Sequence, residues 1–195
     1  MRGFGWRLEA VSLRWHPMTN PGQPSPFVRQ TIETPLGGLM VVARDDRLCM
    51  AEFADCDGRI QQWLRKRTGG NRQVLSDGVP PSGVERAFNR YFDGELRALE
   101  AIDVELSGTP FQTGLWTALR TVPPGKPLAY GAFAASLGRP RAARAVGHAN
   151  GANPLAIVVP CHRLVGADGA LIDYGGGLWR KRWLLDHEQR HASQS

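Results

Sequence analysis

Apolar and polar positions alternate differently in the two halves of the chain. In the first half, short apolar runs separated by tight-turn residues such as Asp45-Asp46 predict the strands of a small antiparallel sheet. Apolar residues three and four apart predict helices as well, and a Gly/Pro-rich stretch from Gly69 to Pro81 lies between them. The predicted elements are strands at 31–34, 39–43, 48–53 and 104–106, and helices at 60–67 and 82–92.

The second half of the chain has mainly helical patterns. Thr109-Pro110 supplies a capping threonine and a proline for the first turn, so a helix is predicted to start there. Two short helices joined by Gly138-Arg139-Pro140 match the pattern of a helix-turn-helix. An apolar, β-branched run leads into Pro160-Cys161-His162-Arg163, and an amphipathic helix follows. These segments are predicted at 130–137, 141–150, 155–159 and 178–188.

Together the patterns predict an α+β protein with a sheet-containing first part and a mostly helical second part. Residues 20–26 have the composition of a linker. Residues 1–26 are therefore expected to be a flexible appendage, or an extension preceding a true start at Met18. We expect an N-terminal α/β domain at 27–107, a C-terminal domain at 108–190 and a tail at 191–195.

The composition is that of a globular protein, with 42% hydrophobic and 22% charged residues among 195. No window of about 18 uncharged apolar residues occurs, which excludes a transmembrane helix and a membrane partner. The three cysteines, an odd number, argue against a disulfide framework and favour the reducing cytoplasm. Their spacing matches no zinc site, so no metal is expected.

The charge is unevenly distributed, and this indicates a polyanionic partner. Up to Glu105 the chain has 14 basic and 14 acidic residues, whereas from Leu106 it has 10 basic and 4 acidic residues. The whole net charge of +6 therefore belongs to the second part. A one-sided basic balance of this kind favours nucleic acid as the partner.

Cys161 is the residue best placed by the sequence to act as a nucleophile. A thiol reacts as its thiolate, which requires a base or a positive field nearby. His162 is adjacent, and Arg163 and Arg144 could add positive potential. On these residues alone, a buried cysteine beside a surface histidine remains an open alternative.

Several motifs surround this cysteine in a fixed order. They are Gly108-Thr-Pro-Phe-Gln112, Arg144-Ala-Val-Gly147, Asn153-Pro154, Pro160-Cys-His-Arg163, Gly169, Tyr174-x-Gly176-Gly177-Leu178 and Lys181-x-x-Leu184-Leu185-x-x-Glu188. In order and spacing the set resembles the methylated-DNA–protein-cysteine methyltransferases, also called 6-O-alkylguanine-DNA alkyltransferases. The resemblance extends over roughly residues 108 to 188.

The resemblance implies a stand-alone suicide enzyme with a ribonuclease H-like first domain, acting as a monomer on double-stranded DNA that contains alkylated guanine. Cys161 would accept the alkyl group from the 6-oxygen of guanine, or from the 4-oxygen of thymine, and keep it as a thioether. Because DNA itself is the alkyl donor, no cofactor is implied. In the family, a Glu–His–water–Cys relay supplies the thiolate. Here the relay would consist of Glu188, His162 and Cys161.

The same resemblance implies the remaining site residues. Tyr130 would donate a hydrogen bond to the base, and Arg144 would fill the stack after the damaged base is flipped out. Asn153 would fold the link between the recognition helix and the active site. The other residues implied to bind DNA or substrate are the small Ala143 and Gly147, together with Arg163, Leu164, Tyr174 and Gly175.

Ile172 and Asp173 depart from the family pattern, which has Thr-Gly before the tyrosine. A β-branched side chain is stiff at χ1, so Ile172 is expected to restrict the substrate pocket and to affect which alkyl groups fit.

Three other classes remain as alternatives. A lesion-binding relative without repair activity would lack the nucleophile, so Cys161 argues against it. The function of a helix-turn-helix transcription regulator does not require the Pro-Cys-His-Arg run. The function of a cysteine hydrolase does not require a basic second half.

Overall fold

A computed structural model describes residues 25–69, 75–78 and 83–192. Residues 1–24 of the expected N-terminal appendage, including Met1 and Met18, lie outside the described residues. So do residues 193–195 of the expected tail and much of the Gly/Pro-rich stretch.

A four-stranded sheet forms the N-terminal part, with strand order β3-β2-β1-β4. Strands β1 to β3 are antiparallel, and Asp45 and Asp46 connect β2 to β3 with φ values of 49° and 60°, as a tight hairpin turn requires. The short β4 pairs parallel with β1, which the sequence did not predict because three residues carry no measurable alternation. The strands are β1 (Phe27–Ile32), β2 (Leu39–Arg44), β3 (Arg47–Phe53) and β4 (Leu75–Asp77).

Two helices cover this sheet. Helix α1 (Asp57–Thr68) buries Ile60 in a small cluster with Phe27 and Met50. Helix α2 (Val84–Phe92) buries Phe88 and Tyr91 in the main core, and a 3₁₀ turn at Ala98–Ala101 follows it.

The C-terminal part is mostly helical. Helix α3 begins after Thr109, whose side chain accepts from the Gln112 amide while the Gln112 side chain accepts from the Thr109 amide. The capping threonine predicted to start this helix is therefore present, and Gln112 completes a capping box with it. The elements are α3 (Pro110–Leu119), β5 (Leu128–Ala129), α4 (Tyr130–Ser136), α5 (Ala143–Gly151), a 3₁₀ turn (Cys161–Arg163), β6 (Leu164–Val165) and α6 (Leu178–Ala192).

The outer edge of β3 joins the two parts. Ala51 donates its amide to the Pro154 carbonyl at 2.9 Å and accepts from the Ala156 amide at 2.8 Å. Leu48 makes a similar bridge to Val104, where a strand was predicted. The apolar run 155–159 is not a regular strand, since it folds into tight turns in which Ile157 has φ 70°. The segment that leads to Cys161 is thus fixed to the N-terminal sheet.

The α+β architecture predicted from the sequence is confirmed, including the small sheet followed by a helical region with a helix-turn-helix formed by α4 and α5. Within the described residues, no helix has the length and apolar character needed to span a bilayer.

Replacing Thr109 by Ala is expected to lower the free energy of unfolding by about 0.5–2 kcal/mol, because the Gln112 amide loses its acceptor at the start of α3. Chemical denaturation measures the change. Thr113→Ala is the matched control, since the Thr113 hydroxyl bonds only to carbonyls of its own helix turn. Equal stability of the two variants would contradict a stabilising cap.

Candidate active site

Cys161 lies at the first position of the 3₁₀ turn Cys161–Arg163, directly after the segment bound to β3. Its side chain belongs to the main core and the residue is 7% exposed. The two residues that follow it point into the protein, where His162 is fully buried and Arg163 nearly so. His162 and Arg163 therefore enter one buried region, where both contact Glu188.

Glu188, on α6, is the centre of this buried region and is 0% exposed. Its Oε1 lies 2.9 Å from His162 Nε2, and Arg163 donates to both carboxylate oxygens from Nε and to Oε1 from Nη2. The Tyr91 hydroxyl donates to Oε1 at 2.9 Å, and the Gly125 amide donates to Oε2 at 3.2 Å. The carboxylate is thus paired with one permanent cation and hydrogen-bonded on both oxygens.

These contacts determine the charge states of the pair. Burial by itself raises the pKa of the Glu188 carboxyl, but His162 and Arg163 outweigh burial and hold that pKa below its ordinary value. Burial lowers the pKa of His162, and the attraction of Glu188 does not compensate. The stable arrangement is an ionised Glu188 beside a neutral His162.

The tautomer of His162 follows from that arrangement. An ionised carboxylate only accepts hydrogen bonds, so His162 Nε2 must carry the proton that it shares with Glu188. In a neutral ring the other nitrogen, Nδ1, then has a free lone pair. His162 Nδ1 is buried and has no hydrogen-bond partner among the described residues. It is therefore available as a base.

A small cavity of about 30 Å³ adjoins Cys161. It has room for about one water molecule and is far smaller than a purine. Six residues implied by the sequence meet there, whereas six further lining residues were not anticipated. The first group is Tyr130, Gly147, Asn153, Cys161, Tyr174 and Gly175; the second is Glu52, Arg59, Asn150, Gly151, Ala156 and Asp173.

The charges around Cys161 oppose one another. Burial raises the pKa of the thiol and Glu52 raises it further, whereas the Asn153 amide, Arg59 and Lys181 lower it. Lys181 is itself buried, which lowers its pKa to about 8, and its Nζ donates to the carbonyls of Ile172 and Asp173. In the closed site the thiol is the favoured form of Cys161.

Asn153 shapes the connection between α5 and Cys161. Its Oδ1 accepts from the Leu155 amide at 3.0 Å, and its Nδ2 donates to the Val159 carbonyl at 2.9 Å. Both ends of the segment that precedes Cys161 are therefore held by one side chain, which is the Asn turn indicated by Asn153-Pro154.

Arg59, on α1, connects the N-terminal part to this site. Its Nε donates to Glu52 at 2.6 Å, while Nη1 and Nη2 donate to the carbonyls of Gly151 and Asn153 at 2.9 Å each. The glycine-rich loop also lies against it, since a Cβ on Gly175 would be 2.7 Å from Arg59 Cζ. The guanidinium thus touches the end of α5, the Asn turn and the loop together.

Helix α5 presents the implied DNA-binding residues. Arg144 is exposed, Ala143 is half-buried, and nothing lies within 4 Å of a Cβ placed on Gly147. The side chains on this part of the helix are small and the space beside Gly147 is open, so another surface can approach the helix backbone closely.

Seven of the implied residues do not line the cavity, namely Ala143, Arg144, His162, Arg163, Leu164, Ile172 and Glu188. Arg163 donates to Glu188 inside the protein, and the Leu164 side chain, in β6, is completely buried. Ile172 is 48% exposed and is not among the described residues that line the cavity. Its side chain lies near Gly166 instead, with Cδ1 at 3.2 Å from a Cβ placed there.

Sequence reasoning missed four contributors to the site, namely Glu52, Arg59, Tyr91 and Asn150. Tyr91 was correctly expected on a helix, but its pattern indicates only a core residue. Glu52 and Arg59 stand seven residues apart across a strand end and a helix start, a spacing that is not typical of an ion pair. Asn150 precedes a glycine at the end of α5, where asparagine is also common as a simple helix end.

Among the described residues there is no group of three or more His, Cys, Asp or Glu side chains able to hold a metal ion.

Family models match both parts of the chain. The ribonuclease-like domain of 6-O-methylguanine DNA methyltransferase matches residues 27–106, and the DNA-binding domain of the same family matches residues 110–190.

Individual relatives agree with these matches. The methylated-DNA–protein-cysteine methyltransferase of Salmonella typhimurium is 45% identical over 165 residues, covering 83% of this chain and 95% of the relative. That of Mycobacterium bovis is 51% identical over 163 residues, covering 84% and 93%. The crystal structure of Mycobacterium tuberculosis OGT in complex with DNA superposes with a TM-score of 0.70 at 38% identity, covering 84% of this chain and 94% of that one.

Replacing Glu188 by Gln is expected to lower the free energy of unfolding by about 3–5 kcal/mol, because Arg163 is left as a buried charge without its partner. Chemical denaturation at neutral pH measures this loss. Asp186→Asn removes an exposed carboxylate from the same helix and should change stability by less than about 0.5 kcal/mol.

The pH dependence of stability provides a second measurement on the same two variants. The pKa of Glu188 lies below its ordinary value of 4.5, so its contribution is complete above that pH and is lost as the pH falls further. Stability should therefore decline less steeply below pH 4.5 in Glu188→Gln than in Asp186→Asn. Parallel curves for the two variants would show that Glu188 is not the carboxylate responsible.

Proposed function

The chain belongs to the 6-O-methylguanine DNA methyltransferase family, and we propose that it repairs double-stranded DNA by moving an alkyl group from the 6-oxygen of guanine to Cys161. The observation that carries the assignment of Cys161 is its position beside His162, whose Nε2 proton is committed to a buried, ionised Glu188. DNA-repair alkyl transfer is the activity of the family; the residue roles below are the proposal.

The proposed reaction begins with proton removal from Cys161. His162 Nδ1 takes the thiol proton, through one water as the family relay implies, and Glu188 stabilises the imidazolium that results. Transfer of the proton converts the buried thiol into the thiolate. Burial raises the pKa of that thiol in the closed site, so Cys161 stays protonated until the base takes its proton.

The bond changes balance without any added reactant. The thiolate sulfur attacks the alkyl carbon, a sulfur–carbon bond forms, and the bond between that carbon and the guanine 6-oxygen breaks. The electron pair remains on guanine, which takes up one proton and leaves as the normal base. Cys161 ends as a stable thioether, so each chain reacts once.

The base has to leave the helix before this chemistry can occur, because the 6-oxygen is not accessible inside a duplex. Helix α5 would enter the minor groove with Arg144 in the place of the flipped base, and Ala143 and Gly147 would permit close approach. The cavity of about 30 Å³ cannot admit a purine as it stands. Tyr130 and the Tyr174-Gly175 loop must therefore separate when the base enters.

One chain supplies the nucleophile, the base and the helix-turn-helix. We therefore propose that the protein acts as a monomer on DNA containing alkylated guanine.

The variant Cys161→Ser is expected to bind methylated duplex DNA as the wild type does and to transfer no methyl group. Mass spectrometry of the protein after incubation measures transfer, and a gel-shift titration measures binding. Cys56→Ser is the control, since this half-exposed thiol bonds to the Gly175 carbonyl yet should be dispensable for transfer. A methyl group carried by Cys161→Ser would refute the assignment of the nucleophile.

The variant Arg144→Ala should slow repair of methylated duplex DNA by a factor on the order of 10 to 100, since flipping a base costs a few kcal/mol. Reaction with a free alkylguanine base should be unchanged, because no base has to be flipped. Arg141→Ala, exposed just before the same helix, serves as a control for general loss of charge. If the duplex and free-base reactions slow equally, Arg144 does not act in flipping.

A further inference from the structure

Asn150 occupies a position that no implied role accounts for. It lies on α5, six residues after Arg144, and is 5% exposed. Its Nδ2 donates to the Tyr130 hydroxyl oxygen at 3.3 Å and to the Cys161 carbonyl oxygen at 3.2 Å. The residue also lines the cavity at Cys161, and its Oδ1 is buried without a partner among the described residues. One side chain therefore connects the recognition helix, Tyr130 and the nucleophile's backbone.

The orientation of the amide is determined by its surroundings. The Cys161 carbonyl can only accept a hydrogen bond, so the NH₂ group of Asn150 must face it. The same NH₂ group then faces the Tyr130 hydroxyl. Because an amide nitrogen only donates, the Tyr130 oxygen must act there as an acceptor.

This arrangement leaves the hydroxyl hydrogen of Tyr130 for another partner. Tyr130 lines the cavity too, and the Asn150 contact is the hydroxyl contact that the described residues give it. Lys181 Nζ approaches the ring at 5.7 Å from its centre and is bonded to two backbone carbonyls. The hydrogen is thus free to be donated into the cavity.

We propose that Asn150 is a positioning residue, which holds Tyr130 as a hydrogen-bond donor toward the base and stabilises the phenol oxygen as the guanine leaves. The inference rests on the proposed function. As the carbon–oxygen bond breaks, the electron pair moves onto guanine and the Tyr130 O–H group shares its proton with the base. Negative charge then grows on the phenol oxygen, and the Asn150 N–H group stabilises that charge by donating a hydrogen bond.

The electrostatics of the resting site agree with this role. Burial and the neighbouring Cys161 raise the pKa of Tyr130 to about 12, and the Asn150 hydrogen bond is the contact that opposes the rise. Preorganised donors of this kind are effective because they need no rearrangement during reaction.

The isosteric variant Asn150→Asp tests the proposal most sharply. A carboxylate would accept the Tyr130 hydrogen instead of donating to the oxygen, and so would withdraw that hydrogen from the base. Single-turnover transfer from a methylated duplex should slow on the order of 100-fold. Tyr130→Phe should slow transfer to a similar extent, and the double variant should be no slower than the slower single variant.

Asn150→Ala keeps the test decisive if the aspartate variant does not fold. It removes the donor without adding charge. When Asn150→Ala is combined with Tyr130→Phe, the double variant should again transfer no more slowly than the slower single variant. A purely structural role for Asn150 would give multiplying losses, and it would also lower the affinity for unmodified duplex. We expect that affinity to stay at the wild-type level in a folded variant.

The outcomes separate this inference from the proposed function. If the wild type itself transfers no methyl group to Cys161, the proposed function fails. If the wild type transfers but Asn150→Asp and Asn150→Ala react at its rate, or their losses multiply with Tyr130→Phe, the role of Asn150 is refuted.

Discussion

The carboxylate of Glu188 can remain ionised inside the protein only because Arg163, His162, Tyr91 and the Gly125 amide surround it. A buried charge without such partners would carry a penalty of several kcal/mol. Meeting this constraint positions α6, α2 and the turn after Cys161 relative to one another. It also determines which nitrogen of His162 holds the proton. The arrangement that stabilises the carboxylate thus also leaves His162 Nδ1 without a proton, on the residue next to Cys161.

The N-terminal sheet contributes to the site although it supplies no reacting group. Its edge strand holds the backbone on both sides of Leu155, and Arg59 reaches from α1 to the end of α5. The end of α5 is therefore connected to Cys161 through Gly151, Asn153 and Asn150. The two parts also share one hydrophobic core.

Much of the architecture could be predicted because local patterns carry it: hairpin turns, the cap at Thr109, and helices with apolar faces. Site residues within or close to the motifs could also be predicted, and Tyr130, Asn153 and Tyr174 do meet at the Cys161 cavity. Contacts between residues that are far apart in the sequence could not be predicted. Arg163 and Ile172 illustrate this limit, since neither sequence position shows that one side chain turns inward to Glu188 and the other outward to solvent.

Duplex DNA with one deuterium-labelled methyl group on a guanine 6-oxygen tests the central claim most directly. After incubation, peptide mass mapping locates the label in the protein, and analysis of the DNA identifies the remaining base. The account predicts one labelled methyl group per chain, on the peptide containing Cys161, together with an intact strand carrying normal guanine. Label on Cys49 or Cys56, no label at all, or a strand that has lost its base would contradict it.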